Sequence, residues 1–366
     1  MANNTNNINY EILFKIQDLN QDYLQKIREK ILVLNNNLLL QLILNYAVKL
    51  ANNEDVTNII LKINKLLFIL STRSDYKEPI KTNNLNLSIT SDIWFETYTY
   101  LNNGDKTYIK THKLNASGLI EAIIQFTLNY YNEKICPKLI DMKIHNTRFQ
   151  KNNLTKNIRK RFQQKMEYYN SDNYLSLGNY MYILFNSYEF TEEEKIKQLK
   201  LILTKITKKL IELQNYSFIH GDFHSGNIYI NINDDSVYFI DFGYSAIKLP
   251  MNNGDLTPFL LCVPISTYTS SDNKNLRLPY DDYLKKIDLF HLIENLNTFQ
   301  YSYEPGNKKI NSNFINFINS IRSIYYNNNM KDLSGKRHKF TCSYNLDSLN
   351  DFLIPENFIT RIDSIN

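Results

Sequence analysis

Three oxygen-bearing side chains late in the chain stand at a spacing suited to phosphoryl transfer. His220-Gly221-Asp222-Phe223-His224-Ser225-Gly226-Asn227 places an Asp five residues before an Asn, and Asp241-Phe242-Gly243 adds a second carboxylate. Such chemistry asks little covalent help of a protein. It needs positioning, neutralised charge and an acceptor oriented in line. Asp222 is the candidate to accept the hydrogen bond of an attacking hydroxyl, with His220 beside it as a further catalytic candidate. Asn227 and Asp241 are candidate hard-oxygen ligands for Mg2+, an ion that keeps several waters and takes few protein ligands. A His-x-Asp-x-His string also suits zinc superficially. The chain offers no further spaced ligands for it, so His220 and His224 are expected to hold the loop by hydrogen bonds.

These residues need elements to bring them together. Strands are expected over 228–232 and 237–240, joined by the turn Asn233-Asp234-Asp235-Ser236, so that Asn227 and Asp241 meet at the open end of one hairpin. Gly243 is expected to permit a sharp turn after Phe242. A long helix should lead into His220. It starts at Thr191, with capping-box spacing to Glu194, and runs to about Gln214 through Ile196, Leu199, Leu203, Ile206 and Leu210. A shorter helix falls within 174–187, and later helices centre on 283–296 and 313–325.

Upstream the pattern changes twice. Residues 10–72 carry apolar positions at helical spacing and predict two to four helices, read as an appendage or as a docking module. Residues 75–84 are polar, contain Pro79 and predict a linker. Alternation over 85–89, aromatic and β-branched residues over 94–101, the turn Asn102-Asn103-Gly104-Asp105 and the run 106–113 predict three antiparallel strands. A helix is expected over 116–131, with Ser117 able to cap it, then a strand over 139–144 and a short one over 166–169. The basic stretch 151–165, centred on Arg159-Lys160-Arg161, reads as a solvated insertion between strands rather than a nucleic-acid patch.

Together, His220-Gly221-Asp222-x-His224-x-Gly226-Asn227 and Asp241-Phe242-Gly243 resemble the protein-kinase-like superfamily, over about residues 85–300. The likeness is to its atypical branches: the aminoglycoside and choline phosphotransferase type, the lipopolysaccharide kinases, and the RIO and tRNA-modification-complex kinases. The Asn-rich composition also resembles kinase-like proteins of giant DNA viruses. The resemblance implies an α+β, bilobal fold, with a small antiparallel β-sheet as N-lobe, a helical C-lobe and ATP between them. It implies a strand lysine that holds the ATP phosphates, braced by a helix glutamate. Lys110, in Tyr108-Ile109-Lys110, with Glu121 fits that pair, and Lys113 competes with Lys110. It further implies a hinge at Met166-Glu167-Tyr168, where Glu167 and Tyr168 would contact adenine through backbone groups, and a bracing role for Asp288. Two departures stand out. Ser88-Ile89-Thr90-Ser91-Asp92 occupies the place of a Gly-rich loop, and His224 stands where conventional Ser/Thr kinases carry Lys. No Ala-Pro-Glu segment follows.

The expected organisation is a helical N-terminal extension over 1–80, an N-lobe over 81–169, and a C-lobe with C-terminal helices over 170–366. The expected activity is ATP- and Mg2+-dependent transfer of the γ-phosphate to a hydroxyl, by an atypical protein Ser/Thr kinase. A small-molecule kinase and a pseudokinase scaffold are the alternatives. Composition is compatible with this: 366 residues, 43% hydrophobic and 22% charged, are globular values with length enough for a substantial core. A net charge of +5 does not call for a nucleic-acid partner. Cys136, Cys262 and Cys342 form no pair of zinc or disulfide spacing. With no signal-like start and no bilayer-length apolar run, an intracellular, cytoplasmic protein is expected (host cytoplasm if viral).

Overall fold

The computed structural model describes residues 14–31, 36–52, 54–72, 98–102, 107–149, 157–261, 282–296, 313–325 and 351–365. The linker expected over 75–84, the strand over 85–89, the stretch Ser88 to Asp92, Trp94, the turn residues Asn103 to Asp105, Cys262 and Cys342 lie outside them. The architecture is α+β, with helices packed around small antiparallel sheets.

Three helices open the described chain: α1 (Gln21–Lys30), α2 (Asn36–Ala51) and α3 (Thr57–Thr72). Each buries one apolar face, as its spacing predicts. Tyr23 and Ile27 of α1, Leu39 and Ile43 of α2, and Ile63 and Leu67 of α3 are buried. They join the same continuous core as the rest of the chain. The Tyr23 hydroxyl meets Thr127 Oγ1 at 2.9 Å, which spares both a buried orphan. Asn20, the N-cap of α1, donates its backbone N–H to the Pro250 carbonyl at 2.9 Å.

The main sheet holds β1 (Tyr98–Asn102), β2 (Thr107–Lys113), β3 (Leu139–Phe149) and β4 (Asn157–Glu167), in the order β1-β2-β4-β3, all antiparallel. Helix α4 (Ala116–Tyr131) follows β2. Its cap is Asn115, whose side chain accepts the Gly118 N–H at 3.1 Å, and not Ser117. The basic stretch is also corrected. From Asn157 onward it is strand β4, and Arg161, Gln163 and Gln164 are buried. Its polar side chains conceal the alternation that marks a strand. Gln164 is partly accounted for by donating to the Gly118 carbonyl at 3.3 Å.

Strand β5 (Tyr174–Ser176) pairs with β6 (Ile228–Asn231), which pairs with β7 (Val237–Phe239). Between them run α5 (Leu177–Asn186) and α6 (Glu192–Gln214). Thr191 and Glu194 form the reciprocal capping box that their spacing predicts. A further hairpin, β8 (Ala246–Pro250) with β9 (Leu256–Leu261), lies beyond the strands expected from sequence. Helices α7 (Asp282–Asn295), α8 (Asn313–Tyr325) and α9 (Pro355–Ile362) complete the described chain.

The C-terminal end of α4 is fastened to the second half of the molecule. The Tyr131 ring stacks on Tyr216 at 3.7 Å, and its hydroxyl donates to the Lys248 carbonyl at 3.0 Å. Asn132 donates to Glu212 at 2.6 Å, and the Phe239 N–H to the Ile135 carbonyl at 2.8 Å. Lys209 donates to the carbonyls of Lys134 and Val237. No helix among the described residues is long and apolar enough to cross a membrane.

Candidate active site

Helix α6 delivers the chain to the loop that carries Asp222. Ile219 pairs with Ala246 through two backbone hydrogen bonds of 2.9 and 2.8 Å, which fixes where the loop begins. Buried Asp288 of α7 then accepts the N–H of His220 at 2.8 Å on one carboxylate oxygen and that of Gly221 at 2.9 Å on the other. Gly221 has φ of 76°, in the left-handed region that favours glycine. Burial pushes the Asp288 carboxyl up to about 7, against the two N–H groups that favour its ionised form.

His220 is wholly buried among Phe223, Phe239 and Phe242. Its Nε2–H donates to the Ile240 carbonyl at 2.9 Å, which leaves Nδ1 to accept the Asp222 N–H at 3.4 Å. Ser245 donates to its carbonyl at 2.7 Å. Burial lowers its pKa to about 4. Both ring nitrogens are thus engaged in holding the loop. His224 differs: its side chain is partly exposed, and Nε2 stands 3.8 Å from Asp222 Oδ2.

The hairpin of β6 and β7 does what its sequence predicts. The Ile240 N–H donates to the Asn227 carbonyl at 3.0 Å, so Asn227 and Asp241 emerge side by side. Asn227 Nδ2 donates to the Asp222 carbonyl at 2.9 Å and to Asp222 Oδ2 at 3.4 Å, so the amide nitrogen is committed to the loop. Burial raises the Asp222 carboxyl, with Asp241 acting in the same sense and His224 and Asn227 opposing. The sharp turn here belongs to Asp241 itself, with φ of 63°, a region Asp tolerates better than most residues. Gly243 does not have positive φ, and a Cβ on it would meet its neighbours at an ordinary 3.6 Å. The expectation that Gly243 makes the turn is therefore displaced by two residues.

Lys110 reaches this hairpin from β2. Its Nζ lies 2.6 Å from Glu121 Oε1 and 2.8 Å from Asp241 Oδ1. Burial alone would lower the Lys110 ammonium; Asp241 and Glu121 outweigh it and hold it above its ordinary range. Lys110 in turn draws the Asp241 carboxyl down to about 2. Lys110 makes both contacts, whereas the Lys113 side chain lies outside the described set. Glu167 and Tyr168 stand apart from this network, at the end of β4, where the Glu167 N–H is committed to the Lys138 carbonyl at 2.9 Å.

Two residues that sequence reasoning missed support the network. Gly118 lets α4 approach β2 so closely that a Cβ there would lie 2.8 Å from His112 Cβ. His112 is buried beside Glu121, with Nδ1 at 3.7 Å from Oε2. Only its place two residues after Lys110, on the same face of the strand, could have signalled this.

The donor set is specific in kind. Asn227 offers an amide oxygen and Asp241 a carboxylate oxygen, which suits Mg2+ completed by phosphate and water. Among the described residues no group of three or more His, Cys, Asp or Glu converges to hold a metal by protein ligands alone.

Residues 184–252 match the phosphotransferase enzyme family, APH. In this segment the chain is similar to phosphotransferases of that family. The matched residues take in α6, the Asp222 loop, both strands of the hairpin and Asp241, while Lys110 and Glu121 lie upstream of them. No curated protein matches the chain. Among solved structures, that of a Stt7 homolog from Micromonas algae soaked with ATP is similar at 13% identity and a TM-score of 0.35. That similarity covers 49% of this chain and 58% of the other.

Proposed function

We propose that the protein transfers the γ-phosphate of ATP to a hydroxyl in a Mg2+-dependent reaction. The observation that carries this is the contact of Lys110 with both Glu121 and Asp241 beside the Asp222–Asn227 loop. Lys110, braced by Glu121, would bind the nucleotide phosphates as a fixed cation. Asn227 and Asp241 would hold Mg2+, which when bound neutralises phosphate charge. Asp222, its carboxylate raised by burial and steadied by Asn227, would accept the hydrogen bond of the acceptor hydroxyl and orient its oxygen. Backbone groups around Glu167 and Tyr168 would receive adenine.

For the acceptor we favour a protein Ser or Thr hydroxyl. Leu61 and Phe68 of α3, seven residues apart and so on one helix face, are exposed and give a macromolecule an apolar surface to meet. A small-molecule hydroxyl is the second reading. It is favoured by His224, partly exposed beside Asp222 at a position where a protein-kinase site would carry Lys.

Mg2+-dependent ATP binding and hydrolysis by the wild type beside Asp241→Ala tests the reaction class. Binding and turnover that are lost in the variant support it. A wild type that neither binds nor turns over ATP sinks it and leaves a binding scaffold.

A further inference from the structure

His112 follows Lys110 by two residues on β2, so both side chains stand on the face that α4 covers. Lys110 takes one oxygen of Glu121, and the His112 ring lies on the side of the other, Nδ1 to Oε2, at 3.7 Å. The imidazole is wedged between Gly118 in the first turn of α4 and Phe162 of β4, whose ring centroid is 6.4 Å away.

As packing alone, a histidine here is a poor choice. Nε2 and the Gln164 side-chain oxygen are both buried and neither makes a well-formed hydrogen bond, although the Gln164 side chain is near enough to the ring to favour its protonated form weakly against burial. A buried polar atom left without a partner costs stability that an apolar side chain of similar size would not. What the ring supplies in exchange is a polar wall against the second oxygen of Glu121. We propose that His112 is a positioning residue for Glu121: it closes the Oε2 side of that carboxylate and so keeps Oε1 on Lys110. The inference rests on the phosphotransferase reading only for its consequence, ATP affinity. The positioning itself exists in the nucleotide-free protein.

The test uses His112→Leu, His112→Asn and Glu121→Gln in the full chain, with three readouts. These are thermal midpoint, calorimetric affinity for ATP with Mg2+, and the rate at which an amine-reactive ester labels Lys110 in nucleotide-free protein, read by peptide mass. His112→Leu should keep or raise the midpoint, weaken ATP roughly fivefold or more, and speed Lys110 labelling. His112→Asn, which returns an N–H near the place of Nδ1, should restore slow labelling and affinity. Combining His112→Leu with Glu121→Gln should do no more harm than Glu121→Gln alone. A lower midpoint with unchanged affinity and labelling in His112→Leu would show a merely structural role. Additive losses in the double variant would overturn the proposal equally. Should His112→Leu fail to fold, His112→Asn decides: labelling as fast as in Glu121→Gln overturns the proposal, and wild-type labelling supports it. A wild type that binds no ATP removes the proposed function, while the labelling still tests the positioning.

Discussion

Lys110 and Asp241 are 131 residues apart in sequence and 2.8 Å apart in space. One belongs to β2 of the main sheet and the other follows the β6–β7 hairpin, so this contact joins the two regions that a nucleotide would have to touch together. Glu121 holds the same ammonium from a third element, at 2.6 Å. Lys110→Ala should therefore remove a cation from between two carboxylates. The expected result is a loss of about 10²–10³ in phosphoryl-transfer rate, the scale of deleting one preorganised charge donor. Steady-state turnover with saturating acceptor checks it, and turnover within a few-fold of wild type would refute the role.

Asp222→Asn separates binding from transfer. The amide keeps the shape of the side chain and loses its capacity to take a proton, and Asp222 does not touch Lys110 or Glu121. ATP affinity should hold while transfer falls by roughly 10²–10⁴, the usual contribution of a positioned base. Calorimetry beside a transfer assay reads both quantities on one preparation. Full activity would remove Asp222 from the mechanism.

Gly118→Ala should disturb the network from a distance. The new methyl would sit 2.8 Å from His112 Cβ, closer than real contacts allow. Overpacking of this kind costs about 1–3 kcal/mol. The shift needed to relieve it moves α4, and Glu121 with it. Denaturant unfolding should show the lost stability, and ATP should bind more weakly. Unaltered values for both would mean the strand and helix can part without consequence.

The pH dependence of stability has a definite sign. His220 and His291 are held neutral by burial, with pKa lowered from 6.5 to about 4 and about 3, and His112 is lowered by burial as well. Their contribution is fully present above about pH 6.5 and is lost as pH falls through the lowered values, because the unfolded chain then binds more protons. Asp288 acts the other way. Its carboxyl is raised from 3.8 to about 7, so its contribution is present below 3.8 and is lost as pH rises through 7. Asp222, also raised by burial, acts in the same sense as Asp288; three imidazoles against these two carboxyls leave stability higher at pH 7 than at pH 5. Replacing Asp288 by Asn should steepen the acid loss. A urea midpoint that is higher at pH 5 than at pH 7 in the wild type would contradict the balance.

Much of the scaffold is legible in sequence because periodicity survives wherever one face alone is buried. Helix α4 was readable from Ile120, Ile123, Ile124 and Leu128, and α6 from Leu199, Leu203, Ile206 and Leu210 with a capping box at its start. The hairpin that sets Asn227 beside Asp241 was readable because a polar turn interrupts two short apolar runs. Strand β4 was hidden: Arg161, Gln163 and Gln164 are polar and buried, so neither hydrophobicity nor alternation marks them. The sharp turn is expected after Phe242 because glycine tolerates one, yet it is Asp241 that has the positive φ. His112 carries no signal beyond its place two residues after Lys110, since what packs on it from α4 and β4 is not recorded in a linear pattern.

The fastening of α4 at one end has a mechanical consequence. Tyr131, Asn132 and the residues just after them are bound to Tyr216, Lys248, Glu212 and Phe239, while Glu121 lies near the opposite end of the helix. A 16-residue helix is about 24 Å long. Were the main sheet to swing away from the hairpin, the contacts at Tyr131 would serve as its fulcrum and α4 as the lever arm. A small rotation at the stacked tyrosines would then be magnified toward the first turns of α4, where Glu121 meets Lys110.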